Sequence, residues 1–157
     1  MKTNSYIHIS EEQAAPVVAG LSQLLADLQI FYSNLRGFHW NIKGANFYSL
    51  HEAFENYYNE VNEKIDEVAE RILQLGAIPE HRFAQYAHTS KVEQTGVVSD
   101  GQEALRNILE TFRHLLAQER SVLEAAQEAG DEVTAGLMGD YMAAQEKQVW
   151  MLVATLS

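Results

Sequence analysis

Apolar residues that return every three or four positions constrain this chain more than any other feature. Val17, Leu21, Leu24, Leu28, Phe31, Leu35 and Phe38 step by four and three without a miss, the one-sided stripe of a helix laid against a core. The same spacing returns in Phe47, Phe54, Tyr58, Val61, Ile65, Val68, Ile72 and Leu75. A third stripe holds Leu105, Ile108, Leu109, Phe112, Leu115, Leu116, Val122 and Leu123, and a fourth Val133, Leu137, Tyr141, Val149 and Leu152. Helices of about 25 to 30 residues are roughly 40 Å long, so the pattern predicts an all-α four-helix bundle around one core. The 157 residues fit a single domain, 1–157, with 1–9 as an N-terminal arm that carries no strong pattern.

The boundaries are marked by local chemistry. Ser10 followed by Glu11, Glu12 and Gln13 is a capping-box start, and Pro16 within the first two turns is expected to bend this helix or delay its beginning. Asn41 to Asn46 forms the next turn, and Gly76 ahead of Pro79 closes the second helix. The segment from Gly76 to Val98 is too long for a structureless link, which predicts a short helix over Phe83 to His88. Ser99 or Asp100 starts the third long helix, Ala129-Gly130 ends it, and Asp131 caps the fourth. Short turns make the first and second helices antiparallel, and likewise the third and fourth. The long link lets the third helix run parallel to the second.

With no cysteine in the chain, disulfides, thiolate metal sites and cysteine nucleophiles are excluded together. Any metal is held by His, Asp and Glu, which suits iron, manganese or zinc rather than copper(I) or a cluster. Eleven Lys and Arg against 22 Asp and Glu give a net charge of −11, a balance that opposes binding to a polyanion and favours cations. No run approaches the roughly 18 apolar residues of a membrane span, and no secretory signal is visible. The expected location is therefore cytoplasmic, without a membrane partner.

A bundle that binds two irons within one chain ordinarily carries Glu-x-x-His on two helices. No Glu lies three residues before any His in this sequence. The alternative ligand set is His39 at the end of the first long helix, with His51, Glu55, Asp66 and Glu70 on the second. His51 and Asp66 are separated by about 22 Å along a straight helix axis, yet fall within about 60° of each other around it. One chain cannot bring them to one ion. A second copy packed antiparallel by a two-fold, its axis near Tyr58 to Val61, would set His51 of one chain opposite Asp66 and Glu70 of the other.

The run His39-Trp40-Asn41-x-x-Gly44-x-x-Phe47-x-x-x-His51-x-x-x-Glu55, followed by Asp66-x-x-Ala69-Glu70-Arg71, resembles the signature of the Dps family of miniferritins. The likeness continues in Gly130-Asp131-x-x-Thr134 and Glu146-Lys147-x-x-Trp150-Met151-Leu152. The resemblance implies a ferritin-like bundle with a short helix in its middle link, assembled as a hollow dodecamer from two-fold dimers. It implies a ferroxidase that oxidises Fe(II), with hydrogen peroxide preferred to dioxygen, and stores ferric mineral. Carried over, His39 and His51 from one chain and Asp66 and Glu70 from its partner ligate iron, with Glu70 as bridge and Glu55 as a weaker ligand. Trp40 intercepts one-electron oxidants beside the centre. Asp131 and Asp140 are pore candidates, although Gly136 stands where the family often has Asp.

Simpler readings stand beside these. His39 alone is a helix-end residue, Glu55 a solvated acid, Trp40 a core residue and Asp131 a cap. Asp66 and Glu70 would serve equally as ion-pair partners of Lys64 or Arg71. His8, His81, His88 and His114 fit no ligand spacing and are expected at surfaces or interfaces. Lys2 is the one cation of the arm, so direct DNA binding is not expected; a DNA-compacting shell with incidental iron chemistry is the competing function.

Overall fold

The four apolar stripes become the four long helices of the chain. The computed structural model describes residues 2–157. Its elements are α1 (Asn4–Ile7), α2 (Glu11–Asn41), α3 (Phe47–Gln74), α4 (Phe83–Thr89), α5 (Gly101–Glu128) and α6 (Glu132–Leu156), with no strand among the described residues.

Side-chain contacts fix the topology. Phe38 meets Phe54 and Tyr32 meets Tyr58, so α2 and α3 are antiparallel. Gln118 reaches the Gly20 carbonyl while Phe112 packs on Phe31, which makes α2 and α5 antiparallel too. Tyr57 bonds Gln148 near one end of α3, and Arg71 bonds Asp131 near the other, so α6 runs against α3. It follows that α3 and α5 are parallel, as the long link allows. Phe31, Phe38, Phe54, Leu24, Ile108 and Met138 are fully buried at the centre.

The start of α2 differs from expectation. Ser10 accepts from the Gln13 amide at 3.2 Å, and its own amide donates to Gln13 Oε1 at 3.0 Å. This reciprocal cap starts the helix at Glu11, ahead of Pro16, so the proline neither delays it nor stops it. Helix α2 also corrects the expectation about membrane-length segments. It is long and apolar enough to cross a bilayer, with a mean hydropathy of 1.4 in its most apolar window, but 56% of that window is buried inside the bundle. A helix covered on several sides by α3, α4 and α5 has little need of a polar face.

The arm is seated on the bundle. Asn4 is buried and donates to the Leu75 carbonyl at 2.7 Å, while Lys2 pairs with Glu11. Gly76 makes room for this contact: its φ is +84°, and a Cβ there would lie 1.8 Å from Asn4 Oδ1.

Two buried polar residues of α2 hold the long link. Asp27 accepts from the Lys91 amide at 2.7 Å and from Ser90 Oγ at 3.1 Å. Asn34 donates to the Glu93 carbonyl and accepts from the Thr95 amide. His114 of α5 contacts the same Asp27 carboxylate at 3.0 Å with 32% of its side chain exposed, so it sits at the surface and also anchors Asp27. His8, His81 and His88 are exposed.

Helix α3 buries a narrow line, Phe54, Val61, Val68 and Ile72. Much of its remaining surface, with Glu55, Asp66 and Glu70, faces outward.

Candidate metal centre

The α2–α3 hairpin brings together the two histidines of the candidate ligand set. Helix α2 ends when the Ile42 amide bonds the Phe38 carbonyl, and the Lys43 amide turns away to Ser99. The His39 carbonyl is thereby left as an open helix-end acceptor. After the turn at Gly44, where φ is +109°, α3 brings His51 against it. His51 Nδ1 bonds the His39 carbonyl at 2.8 Å, and His39 Nδ1 bonds the His51 carbonyl at 2.8 Å. The two imidazoles stack with centroids 3.7 Å apart and planes 16° apart.

A carbonyl oxygen only accepts, so each Nδ1 must carry its hydrogen. In the neutral tautomer this leaves the lone pair of each ring on Nε2, and neither Nε2 has a hydrogen-bond partner among the described residues. Fixing the proton on one ring nitrogen with a backbone carbonyl is the usual way a protein orients a histidine for a metal. Phe47 lies nearly parallel to His51 at 5.0 Å, and Tyr58 stands edge-on to His39 at 5.3 Å. Burial, then the neighbouring Glu55 carboxylate, push the Tyr58 hydroxyl above its ordinary value, so it remains a donor at neutral pH.

Asp66 and Glu70 share one face of α3, four residues apart. Neither makes an ion pair or hydrogen bond among the described residues. The cations that would have explained them are turned elsewhere. Arg71 points inward to Asp131 and Thr134, and Lys64 lies over the Tyr141 ring at 5.1 Å. Two carboxylates so placed are free hard donors.

The nitrogen and oxygen halves do not meet within the chain. Helix α3 runs unbroken from Phe47 to Gln74, so the separation of about 22 Å between His51 and Asp66 stands. No group of three or more His, Asp or Glu able to hold a metal exists among the described residues. The structure thus joins His39 with His51, keeps Glu55 exposed beside Tyr58, and leaves Asp66 with Glu70 at a distance.

Trp40 is 62% exposed and therefore not a core residue. The Arg36 guanidinium lies 4.6 Å over its ring and 5.6 Å from Tyr32. These residues line a groove of about 580 Å³ with Ile30, Phe83 and Tyr86.

Asp131, one of the two pore candidates, is turned into the fold. It is 1% exposed, with Oδ1 bonded to Arg71 Nη2 at 2.7 Å and to the Thr134 amide at 2.9 Å, and Oδ2 to the Thr134 hydroxyl at 2.5 Å. Burial opposes its ionisation, but the Thr134 bonds and then Arg71 outweigh it and hold the carboxyl below its ordinary value. Three of its roughly four acceptor positions are thus engaged inside the fold. Asp140 is exposed on α6 and remains available for that role.

Sequence spacing located His39 and His51 but not the reciprocal bonds that fix their tautomers. Only the helix-ending position of His39, with its open carbonyl, hinted at them. Arg71 was visible only as a neighbour of Glu70, whereas its side chain belongs to the Asp131 cap.

Known proteins show the same architecture. A family model described as a ferritin-like domain matches residues 18–157. The chain is 53% identical over 146 residues to the DNA protection during starvation protein of Porphyromonas gingivalis, covering 93% of this chain and 92% of that one. The crystal structure of a Dps protein from Vibrio cholerae O1, described as a member of a broad superfamily of ferritin-like diiron-carboxylate proteins, superposes with a TM-score of 0.93. It is 44% identical over 95% of this chain and 94% of the other. A Dps protein from Bacillus brevis gives a TM-score of 0.90 at 32% identity over 93% of this chain and 98% of that one. A bundle with this link, this histidine pair and these matches over nearly its whole length belongs to the Dps family of ferritin-like proteins.

Proposed function

We propose that this protein is an iron-storing ferroxidase that oxidises Fe(II), preferentially with hydrogen peroxide, at sites shared between two subunits, and deposits ferric mineral inside a hollow, dodecameric shell in the cytoplasm. The observation that carries this reading is the pair of Nε2 lone pairs held by reciprocal carbonyl bonds, together with an acid pair that has no partner among the described residues. His39 and His51 would bind from one subunit, and Asp66 and Glu70 from the next, with Glu55 as a weaker ligand. Iron is the substrate. Two ferrous ions give one electron each to a peroxide, its O–O bond breaks, and both oxygens leave as water after taking up two protons. Carboxylate oxygens favour Fe(III) over Fe(II) and so drive the electron loss. Delivering both electrons together avoids a free hydroxyl radical, and Trp40 would intercept stray one-electron oxidants. Asp140 would attract Fe(II) toward a pore.

The DNA-compacting alternative has less support. The chain carries a net charge of −11, and Lys2, the cation of the arm, is already paired with Glu11. Attraction to phosphates is correspondingly weak.

Complementation tests the shared site. One variant carries His39→Ala and His51→Ala, the other Asp66→Asn and Glu70→Gln. Each shell alone should lose rapid Fe(II) oxidation. Shells co-assembled from equal amounts of both should recover about a quarter of the wild-type sites, because a site is whole only where an intact histidine half meets an intact acid half across a two-fold. No recovery in verified mixed shells would refute the intersubunit centre.

A further inference from the structure

Glu119 lies where an ionised group is hardest to keep. Its side chain is 0% exposed, on the face of α5 that meets α6 and α3. Gln145 of α6, also buried, donates from Nε2 to Glu119 Oε1. The other atom of each group is orphaned: Glu119 Oε2 and Gln145 Oε1 both lack a hydrogen-bond partner among the described residues. Were Glu119 a carboxylate, two acceptors on facing groups would stand buried with no donor for either, an arrangement that folded proteins avoid.

One hydrogen satisfies both. An O–H on Glu119 Oε2 can donate to Gln145 Oε1 while the Gln145 amide donates to Glu119 Oε1, closing a ring of two hydrogen bonds. We propose that Glu119 is a neutral carboxylic acid in the folded protein, paired with Gln145 in a two-bond acid–amide ring that clasps α5 to α6 and opens when the proton leaves.

The surroundings agree with this assignment. On α3, Lys64 is the nearest cation, but it makes no ion pair with Glu119 and lies instead over the Tyr141 ring. Glu60 and Glu67 share its field. On α6, the Tyr141 hydroxyl is committed to Glu67 at 2.6 Å. On α2, Leu21 and Leu24 present buried apolar surface, and Asp27 is committed to the link and to His114. On α5 itself, Gln118 turns to Gly20 and Arg120 to Glu146. Burial pushes the Glu119 carboxyl up to about 7, against the smaller opposing pulls of Gln145 and Lys64.

The sign of the linkage follows. Between an unfolded value of 4.5 and a folded value of about 7, the native chain holds a proton that the unfolded chain has released. Stability from this group is fully present below the unfolded value and falls as pH rises toward neutrality. The whole change corresponds to roughly 300-fold in the folding equilibrium.

Infrared spectroscopy of the assembled protein reads the proton directly. At about pH 6, where exposed carboxylates are ionised, the wild type should show the C=O stretch of a protonated carboxyl, fading with a midpoint near neutrality. Glu119→Gln should lack the band, since its amide rebuilds the same ring with no proton to lose. Gln145→Leu should keep a protonated carboxyl but move its band to higher frequency, because the acceptor is gone. The proposal is overturned if the wild type shows no such band, if the band persists in Glu119→Gln, or if its frequency is unchanged in Gln145→Leu.

Discussion

Replacing Asp131 by Asn separates a structural acid from a pore acid. The substitution preserves shape and leaves an oxygen for the Thr134 amide, so the cap on α6 survives. What disappears is the charge opposite Arg71, whose guanidinium is almost fully buried. Arg71 would keep its bonds to Thr134 Oγ1 and Gln74 Oε1, both neutral groups. Removing one partner of a buried ion pair costs about 3–5 kcal/mol, since the remaining charge stays desolvated. For a domain of this size each kcal/mol shifts the unfolding temperature by about 2–4 °C, so the loss should be on the order of 10 °C. Because the folded Asp131 carboxyl sits below its ordinary value, the penalty should be complete above about pH 4. It should fade as pH falls through the lower folded value. Thermal unfolding at several pH values measures the effect, and stopped-flow Fe(II) uptake well below the transition supplies the contrast. An Asp131→Asn protein with an unchanged melting temperature and slowed iron uptake would refute the reasoning and return the residue to a pore.

Asp140→Asn should show the opposite pattern: unfolding unchanged, Fe(II) uptake slowed at low ionic strength and less so at high salt, where screening already weakens the field. Gly76→Ala should cost roughly 1 kcal/mol or more through its positive φ, and should release the arm, because its new methyl meets Asn4. Proteolysis between Lys2 and Ser10 should then accelerate, and an arm as protected as in the wild type would count against that seating. In Asp27→Asn, the Lys91 amide and His114 lose an ionic partner, a weakening of about 1.5–3 kcal/mol. Hydrogen exchange at residues 90–92 should speed up while exchange in α6 does not, and uniform acceleration would contradict a local anchor.

Features set by neighbours in sequence were legible, and those set by distant partners were not. The stripe from Val17 to Phe38, the Ser10–Gln13 cap and the short helix after Pro79 each follow from residues a few positions apart, and each is where the spacing placed it. Asn4 finds Leu75 across 71 residues, and His114 finds Asp27 across 87. No periodicity encodes such a choice, because it depends on which helix faces pack. Asp131 shows how the two levels conflict. An acid after Gly130 caps α6 whether it faces solvent or the core, and only the position of Arg71, 60 residues away, decides between them. At the candidate centre, spacing located the histidine pair, but the hydrogen positions required a folded hairpin.

On the proposed function, the histidine hairpin would make iron chemistry contingent on assembly. A newly made chain can lock its two imidazoles as soon as α2 and α3 pair, well before it meets another copy. It holds no complete ligand set until then, so a lone subunit would bind ferrous ions too loosely to turn them over. On the proposed function, oxidation would be deferred until a partner has arrived, when the product would have an enclosure to enter.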